Sequence, residues 1–370
     1  MSEAMSEKAS PFRSLHQRNV RVYFVGLLLS NVGTWLQFTA TSLLIYQINN
    51  RATDAGWNTM FQFLPMLLLG AWAGGFADRH DRRTITLWTQ FALLIQAVLL
   101  AVADFGGFAT LPMIYTLSLI LGVANAIDNP SRRGLVTELV EPAEISNAMS
   151  LNTTVMTGSR VFGPALAALL IGPLGTAWLF AMNAVSYVAV IASILMLRRS
   201  EMVPVTPASR TGKPVREALR FVWNDVSLRY SFIVFIVVST FAFNYSVVLP
   251  KLSDQVWNEP NGYAILLSMT SLGSIVGALA TARFRNITIS WYASMLTICA
   301  ISCIAMGFAP NFYVACAVAI PLGLGGTGLV AAMTGITQQK VSSEMRGRMM
   351  ALQSVAFLGS TPIGGPITGW

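Results

Sequence analysis

The chain has 370 residues, of which 54% are hydrophobic and only 11% charged, and its mean hydropathy is +0.59. A soluble domain carries about a quarter charged residues, so a water-soluble globule is excluded. The net charge of +8 comes from basic residues scattered between apolar runs rather than gathered on one face, which excludes a nucleic-acid-binding surface and points to the charge asymmetry of membrane proteins.

Residues 1–19 read as a polar tail, and the first apolar run behind them, 20–47, has no small-residue cleavage site. No removable signal peptide is predicted, and that run stays as the first span. Further apolar runs lie at about 57–77, 84–103, 111–127, 152–172 and 175–197. A polar stretch occupies 198–229, and runs resume at about 230–250, 262–282, 289–308, 312–335 and 350–370. Eleven segments are thus long enough to span a bilayer as helices, at roughly 20 residues each. The fold class is all-α integral membrane.

Twenty-one of the 24 lysines and arginines fall on the side of the N-terminus if the spans alternate. Only Arg51 and Lys251 fall opposite, and Arg160 lies within a span. That bias puts the N-terminus in the cytoplasm and predicts a multi-pass protein of the inner membrane. No cluster of nucleophile, base and orienter appears, so an enzyme is not predicted. His16 and His80 both lie in polar segments, so no metal or cofactor site is expected. Cys299, Cys303 and Cys316 form no CxxC pair and read as packing residues.

The stretch "GGFADRHDRR", 74–83, follows the second span. Arg79, Arg82 and Arg83 suit a helix C-terminus, whereas the carboxylate of Asp78 does not. Asp78 therefore needs a positive partner on another helix, and the eleventh span, preceded by Arg346 and Arg348, offers one. Gly70 and Gly74 would let that helix approach closely. Asp128, at the cytoplasmic end of the fourth span, also sits at the wrong helix end, with Arg82 as its expected partner. Together Gly74, Asp78, Arg79, Arg82, Arg83, Asp128, Arg346 and Arg348 are read as a cytoplasmic gate between two halves.

A repeat supports two halves. Gly70-x-x-x-Gly74-x-x-x-Asp78 returns as Gly273-x-x-x-Gly277-x-x-x-Thr281, displaced by 203 residues, and "FGPAL" (162–166) returns as "GGPIT" (364–368), displaced by 202. The expected units are a tail (1–19), a six-helix bundle (20–197), a linker (198–229) and a second bundle (230–370). The second bundle has five spans where six are expected, so the reading expects a truncated transporter with Trp370 near the outer interface.

"GGFADRHDRR" resembles the signature loop of the major facilitator superfamily, with Asp81 where that family usually has glycine. "GSRVFGPALAA" (158–168) is similar to the family's antiporter motif, here Gly158, Arg160, Gly163 and Pro164. "DNPSRRGLVTELVEPAEISNAMSLN" (128–152) resembles the branch that contains the enterobactin exporter and macrolide efflux pumps. The resemblance implies a major facilitator fold, two pseudo-repeats that rock about a central cavity, and export of a small molecule. It implies that helices one, four, seven and ten line the cavity. Their polar and aromatic residues, Asn31, Trp35, Gln37, Tyr115, Asn125, Asn244, Tyr245, Thr327 and Thr334, are the candidate substrate contacts, with Gln37 and Tyr245 facing each other. Such a lining suits bulky amphipathic solutes.

Arg160 has no carboxylate at matching depth. It either reaches toward Asp128 and the headgroups or meets an anionic substrate. Protons are the candidate coupling ion, with no acid assigned to carry them. In the linker, Val215, Leu219, Val222 and Val226 recur at helical spacing and predict an amphipathic helix on the cytoplasmic leaflet. The alternatives to an exporter are a solute importer and a non-transporting scaffold or sensor on the same fold.

Overall fold

The computed structural model describes residues 13–77, 79–203, 214–259, 262–284, 286–341, 343–359 and 361–370. These are almost wholly helical, with no strand among them. Eight stretches among them are long and apolar enough to cross a membrane.

The first half comprises α1 (Arg18–Asn49), α2 (Ala52–Ala77), α3 (Arg82–Phe105), α4 (Leu111–Glu138), α5 (Ile145–Leu174) and α6 (Thr176–Leu195). In α3 the residues at helical spacing, Ile85, Thr89, Leu93, Gln96 and Leu100, are buried, while Trp88, Phe91, Ile95 and Val102 point outward. Such an apolar outer face is what lipid accepts and water does not. Asp81 starts α3 as its N-cap, accepting from the backbone N–H groups of Arg83 (2.9 Å) and Thr84 (3.4 Å). The departure from glycine at this position thus has a structural use.

α1, α3 and α6 are joined in their middles by a buried amide chain. Gln37 donates to Gln96 at 3.0 Å, and Asn183 donates to Gln37 at 2.8 Å. All three are buried, so every amide here depends on the other two.

The second half follows α7 (Pro214–Asn224) and comprises α8 (Val226–Phe241), α9 (Tyr245–Lys251) with a π-helical turn at Leu252–Val256, then α10 (Gly262–Ala282), α11 (Ile289–Gly307), α12 (Phe312–Lys340), α13 (Ser343–Leu358) and α14 (Thr361–Gly369). Gly273, Gly277 and Gly323 weld α10 to α12: a Cβ at any of them would strike a backbone carbonyl of the facing helix, those of Ile320, Leu324 and Thr270 respectively. Here small residues permit helix contact at backbone distance.

Three elements differ from the sequence reading. α4 continues to Glu138 rather than stopping near 127, because Ser131, Leu135 and Val136 are buried and Asp128, Arg132 and Glu138 find partners. The run at 230–250 is broken between Phe241 and Tyr245. Asn244 donates to the Thr240 carbonyl freed by the break, at 2.6 Å, and Gly364 lets α14 pack on that same carbonyl. The run at 350–370 is broken before Thr361, where Pro362 has no N–H to continue the α13 ladder.

The linker helix is fastened to the second half. Ala218 and Val222 are buried there, Glu217 pairs with Arg348, and Asp225 accepts both a 2.8 Å contact from Lys340 and the Leu228 N–H at 2.9 Å. The bond from Lys340 holds the Asp225 carboxyl below the usual carboxylate range. The expected apolar stripe is therefore split: Val222 faces protein while Leu219 and Val226 face outward.

Candidate functional site

α1, α5 and α12 run between two ends of the molecule. One end carries Arg79, Arg82, Arg83 and Arg199, and is called the basic end; the other carries Asp54, Asp104 and Asp254.

At the far end the two halves meet tightly. α2 and α14 cross at glycines, so that a Cβ on Gly56 would land on the carbonyl of Gly365 and one on Gly369 would lie 2.7 Å from the Ala52 carbonyl. Thr53 donates to the Gly369 carbonyl at 2.8 Å, and the Tyr46 hydroxyl donates to Asp254 at 2.9 Å across the halves. At the basic end the glycines of the same helix α2 face no described neighbour. No described atom lies within 4 Å of a Cβ built on Gly70, Gly74 or Gly75. Among the described residues, no helix makes the close approach expected at Gly70 and Gly74.

The predicted gate residues divide accordingly. Asp78 and the Arg346 side chain lie outside the described residues. Arg79 is exposed. Arg82 pairs with Glu138 at 3.1 Å, and Arg83 donates to the Ile194 and Leu195 carbonyls at the end of α6. Arg348 binds the linker helix through Glu217. Asp128 does not pair with Arg82 as expected. It is fully buried, accepts from Thr89 (2.7 Å) and Gln90 (3.0 Å), and pairs with Arg132 one turn along α4 at 3.1 Å. The wrong-end carboxylate is therefore satisfied inside the first half, by a residue at the i+4 position that the sequence itself displays.

Between the ends, Arg160 lies against aromatic side chains of both halves. Its guanidinium carbon sits 5.2 Å from the Trp35 ring and 4.3 Å from the Phe357 ring, so a cation of the first half rests on an aromatic of the second. Gly163, one turn along α5, makes this possible, because any side chain there would strike the Trp35 Cβ. Phe243 continues the aromatic wall, 5.2 Å from Phe357 and 5.9 Å from Tyr245. Of the two outcomes expected for Arg160, the reach to Asp128 is not made, since that carboxylate pairs with Arg132, and among the described residues Arg160 has no ion pair. Gly158 has only Phe162 near its would-be Cβ, at 4.0 Å, and Pro164 sits within α5.

The other candidate contacts scatter. Asn31 reaches the Leu27 carbonyl at 2.9 Å and lines a small recess with Asn129, Arg132, Arg133 and Asn152. Gln37 belongs to the buried amide chain, so it does not face Tyr245, and its assignment to the cavity is corrected. Tyr115 donates to Asp54 at 3.2 Å, at the far end, away from Arg160. The Asn125 carbonyl accepts from Asn129, and Asn244 is buried at the helix break. Thr334 accepts from Gln353 at 2.8 Å, and Thr327 is half-buried in α12. Sequence reasoning missed Phe243, Gln353 and Phe357. Two of these lie on the eleventh run, which the four-helix cavity rule leaves out.

The profile of the transmembrane secretion effector family matches residues 9–370. The staphyloferrin A transporter of Staphylococcus aureus is 22% identical over 264 residues, 70% of this chain and 66% of that protein. The chain thus spans just under two thirds of that relative's length. The multidrug efflux pump Tap of Mycolicibacterium fortuitum is 27% identical over 362 residues, 91% of this chain and 85% of the pump. Among solved structures, a bacterial homologue of the human lysosomal transporter Spinster superposes with a TM-score of 0.71 at 14% identity, covering 95% of this chain and 81% of that one.

Proposed function

The chain belongs to the transmembrane secretion effector family of major facilitator transporters, and from that membership we propose that it exports amphipathic small molecules by alternating access. The moving units are the bundles 20–197 and 230–370, joined through 198–229, as two pseudo-repeats. The observation that carries this reading is the asymmetry of the two ends. Glycine contacts seal the far end, no described atom faces Gly70 or Gly74 at the basic end, and Arg160 with its aromatic neighbours sits between. A substrate would reach Arg160 from the basic end and leave when the far end parts. Closing the basic end would bring Gly74, Asp78 and the arginines at 79, 82 and 83 toward Arg346 and Arg348.

The test is an efflux assay in a strain lacking its own exporters, with dyes, macrolides and catecholate siderophores. Expression of this chain is expected to lower the accumulation of at least one class severalfold. Unchanged accumulation throughout, at verified membrane expression, sinks the exporter reading.

Orientation is tested separately. With the basic end in the cytoplasm, reporter fusions after Arg83 and after Arg199 should give cytoplasmic signals, and one after Trp257 an external signal. A cytoplasmic signal at Trp257 would overturn the assignment of spans.

A further inference from the structure

We propose that Arg160 and the aromatic side chains around it bind a planar aromatic anion, an aromatic carboxylate above all; this deepens the exporter reading and rests on it. A guanidinium has a face and an edge. Trp35 and Phe357 take the face of Arg160, which leaves its in-plane N–H donors for a bidentate acceptor such as a carboxylate. No described carboxylate supplies that acceptor, and Asp128 is committed to Arg132. An uncompensated cation at this depth is costly in a membrane protein and marks a site of function by default.

Three further observations point the same way. The Tyr245 hydroxyl, on the second half and 5.9 Å ring to ring from Phe243, is buried with no hydrogen-bond partner, so it is a donor left unused beside the aromatic wall. Trp35, Phe243 and Phe357 are all half-exposed, although they stand where the two halves meet; they give a flat ring something to stack on. Gln353 Oε1, one turn before Phe357 on α13, is buried without a donor and suits a hydroxyl carried on the substrate ring.

A route of matching charge leads in from the basic end. Arg133 is exposed and makes no ion pair or hydrogen bond among the described residues. It shares a recess with Asn31, Asn129 and Asn152. From there Asn152, Met156 and Arg160 follow at four-residue steps on one face of α5, as Asn31 and Trp35 do on α1. The lane from Asn152 to Arg160 is about 12 Å long at 1.5 Å per residue. Both of its cations lack acids, so an anion is drawn inward along it.

The experiment measures binding of 2-naphthoate and of uncharged 2-naphthalenemethanol to the full chain in nanodiscs. Efflux of the dye, macrolide and siderophore panel is measured in parallel. Naphthoate is expected to bind saturably and more tightly than the alcohol. Arg160→Met should weaken naphthoate roughly ten- to a hundredfold and leave the alcohol unchanged. Tyr245→Phe should weaken naphthoate severalfold, and Arg160→Lys, which keeps the charge but loses the planar two-pronged donor, should bind it severalfold more weakly than the unaltered chain. If Arg160→Met does not fold, the Arg160→Lys and Tyr245→Phe variants carry the comparison. Equal binding of the two probes, or naphthoate binding indifferent to these changes, overturns the proposal. Efflux of the panel without naphthoate binding overturns the anion site alone. Naphthoate binding without any efflux upholds the site and overturns the exporter reading.

Discussion

Asp128→Ala is expected to cost about 3–5 kcal/mol, the range for removing one member of a buried ion pair, and to leave little folded protein in the membrane. Its carboxylate has no exposure and receives three side-chain donors, from Thr89, Gln90 and Arg132. Alanine would orphan Gln90 and Arg132 at once, while the Thr89 hydroxyl can turn to the carbonyls of Ile85 and Thr86. The larger part of the loss comes from Arg132, whose second terminal nitrogen already lacks a partner. A variant that removes both charges, Asp128→Leu with Arg132→Met, should recover most of the stability, because paired deletion leaves no uncompensated charge. Thermal unfolding in detergent, followed by the monodispersity of the eluted protein, measures both. An Asp128→Ala protein with an unchanged Tm would show that this cluster does not hold the first half together.

Two glycine substitutions on α2 are expected to stop transport by opposite means. Gly56→Leu puts a side chain onto the Gly365 backbone, which cannot yield without parting α2 from α14. Overpacking of this kind typically costs about 1–3 kcal/mol, and that cost falls only on the state in which the far end is shut. Since about 1.4 kcal/mol is a factor of ten, the balance should shift severalfold to a hundredfold toward the opposite state. Gly74→Leu meets no described atom here, so it should leave this state undisturbed and oppose closure of the basic end. Single cysteines at Thr53 and at Phe76, in a background with Cys299, Cys303 and Cys316 replaced, would report the two ends by thiol labelling. The first variant should raise labelling at Thr53 and lower it at Phe76. The second should keep Phe76 reactive while transport is lost. Normal transport by Gly74→Leu would mean that the basic end does not close on that glycine. Unchanged labelling in Gly56→Leu would mean that the far-end crossing is not a gate.

Helix existence was largely legible in the sequence, since an apolar run bounded by capping residues needs no tertiary help. Thr288 and Asn311 stand where α11 and α12 begin and accept the backbone N–H groups of Trp291 and Val314. What failed were the places where polarity is satisfied at long range. α4 looked finished at Asp128 because its next residues are charged, yet Thr89 and Gln90 of α3 make those charges tolerable. The break at Asn244 had a local signal only in the asparagine itself, and its other support, Gly364, lies far along the chain. Gln37 was misplaced because an amide in a span looks the same whether it faces other amides or a cavity. Arg160 was rightly singled out as a lone cation, but its neighbours Trp35 and Phe357 sit on helices whose approach no local pattern encodes.

The amide chain of Gln37, Gln96 and Asn183 has a consequence for how the protein is made. α1 leaves the ribosome first and α6 last among the helices it joins, so Gln37 enters hydrocarbon long before its final partner exists. An amide left without a partner there costs several kcal/mol. The amide of the first helix is thus half satisfied when the third brings Gln96 and fully satisfied only when the sixth brings Asn183. A chain halted before Asn183 is therefore expected to leave the Gln37 carbonyl oxygen without its donor, and the first half closes as one unit only after α6 is in place.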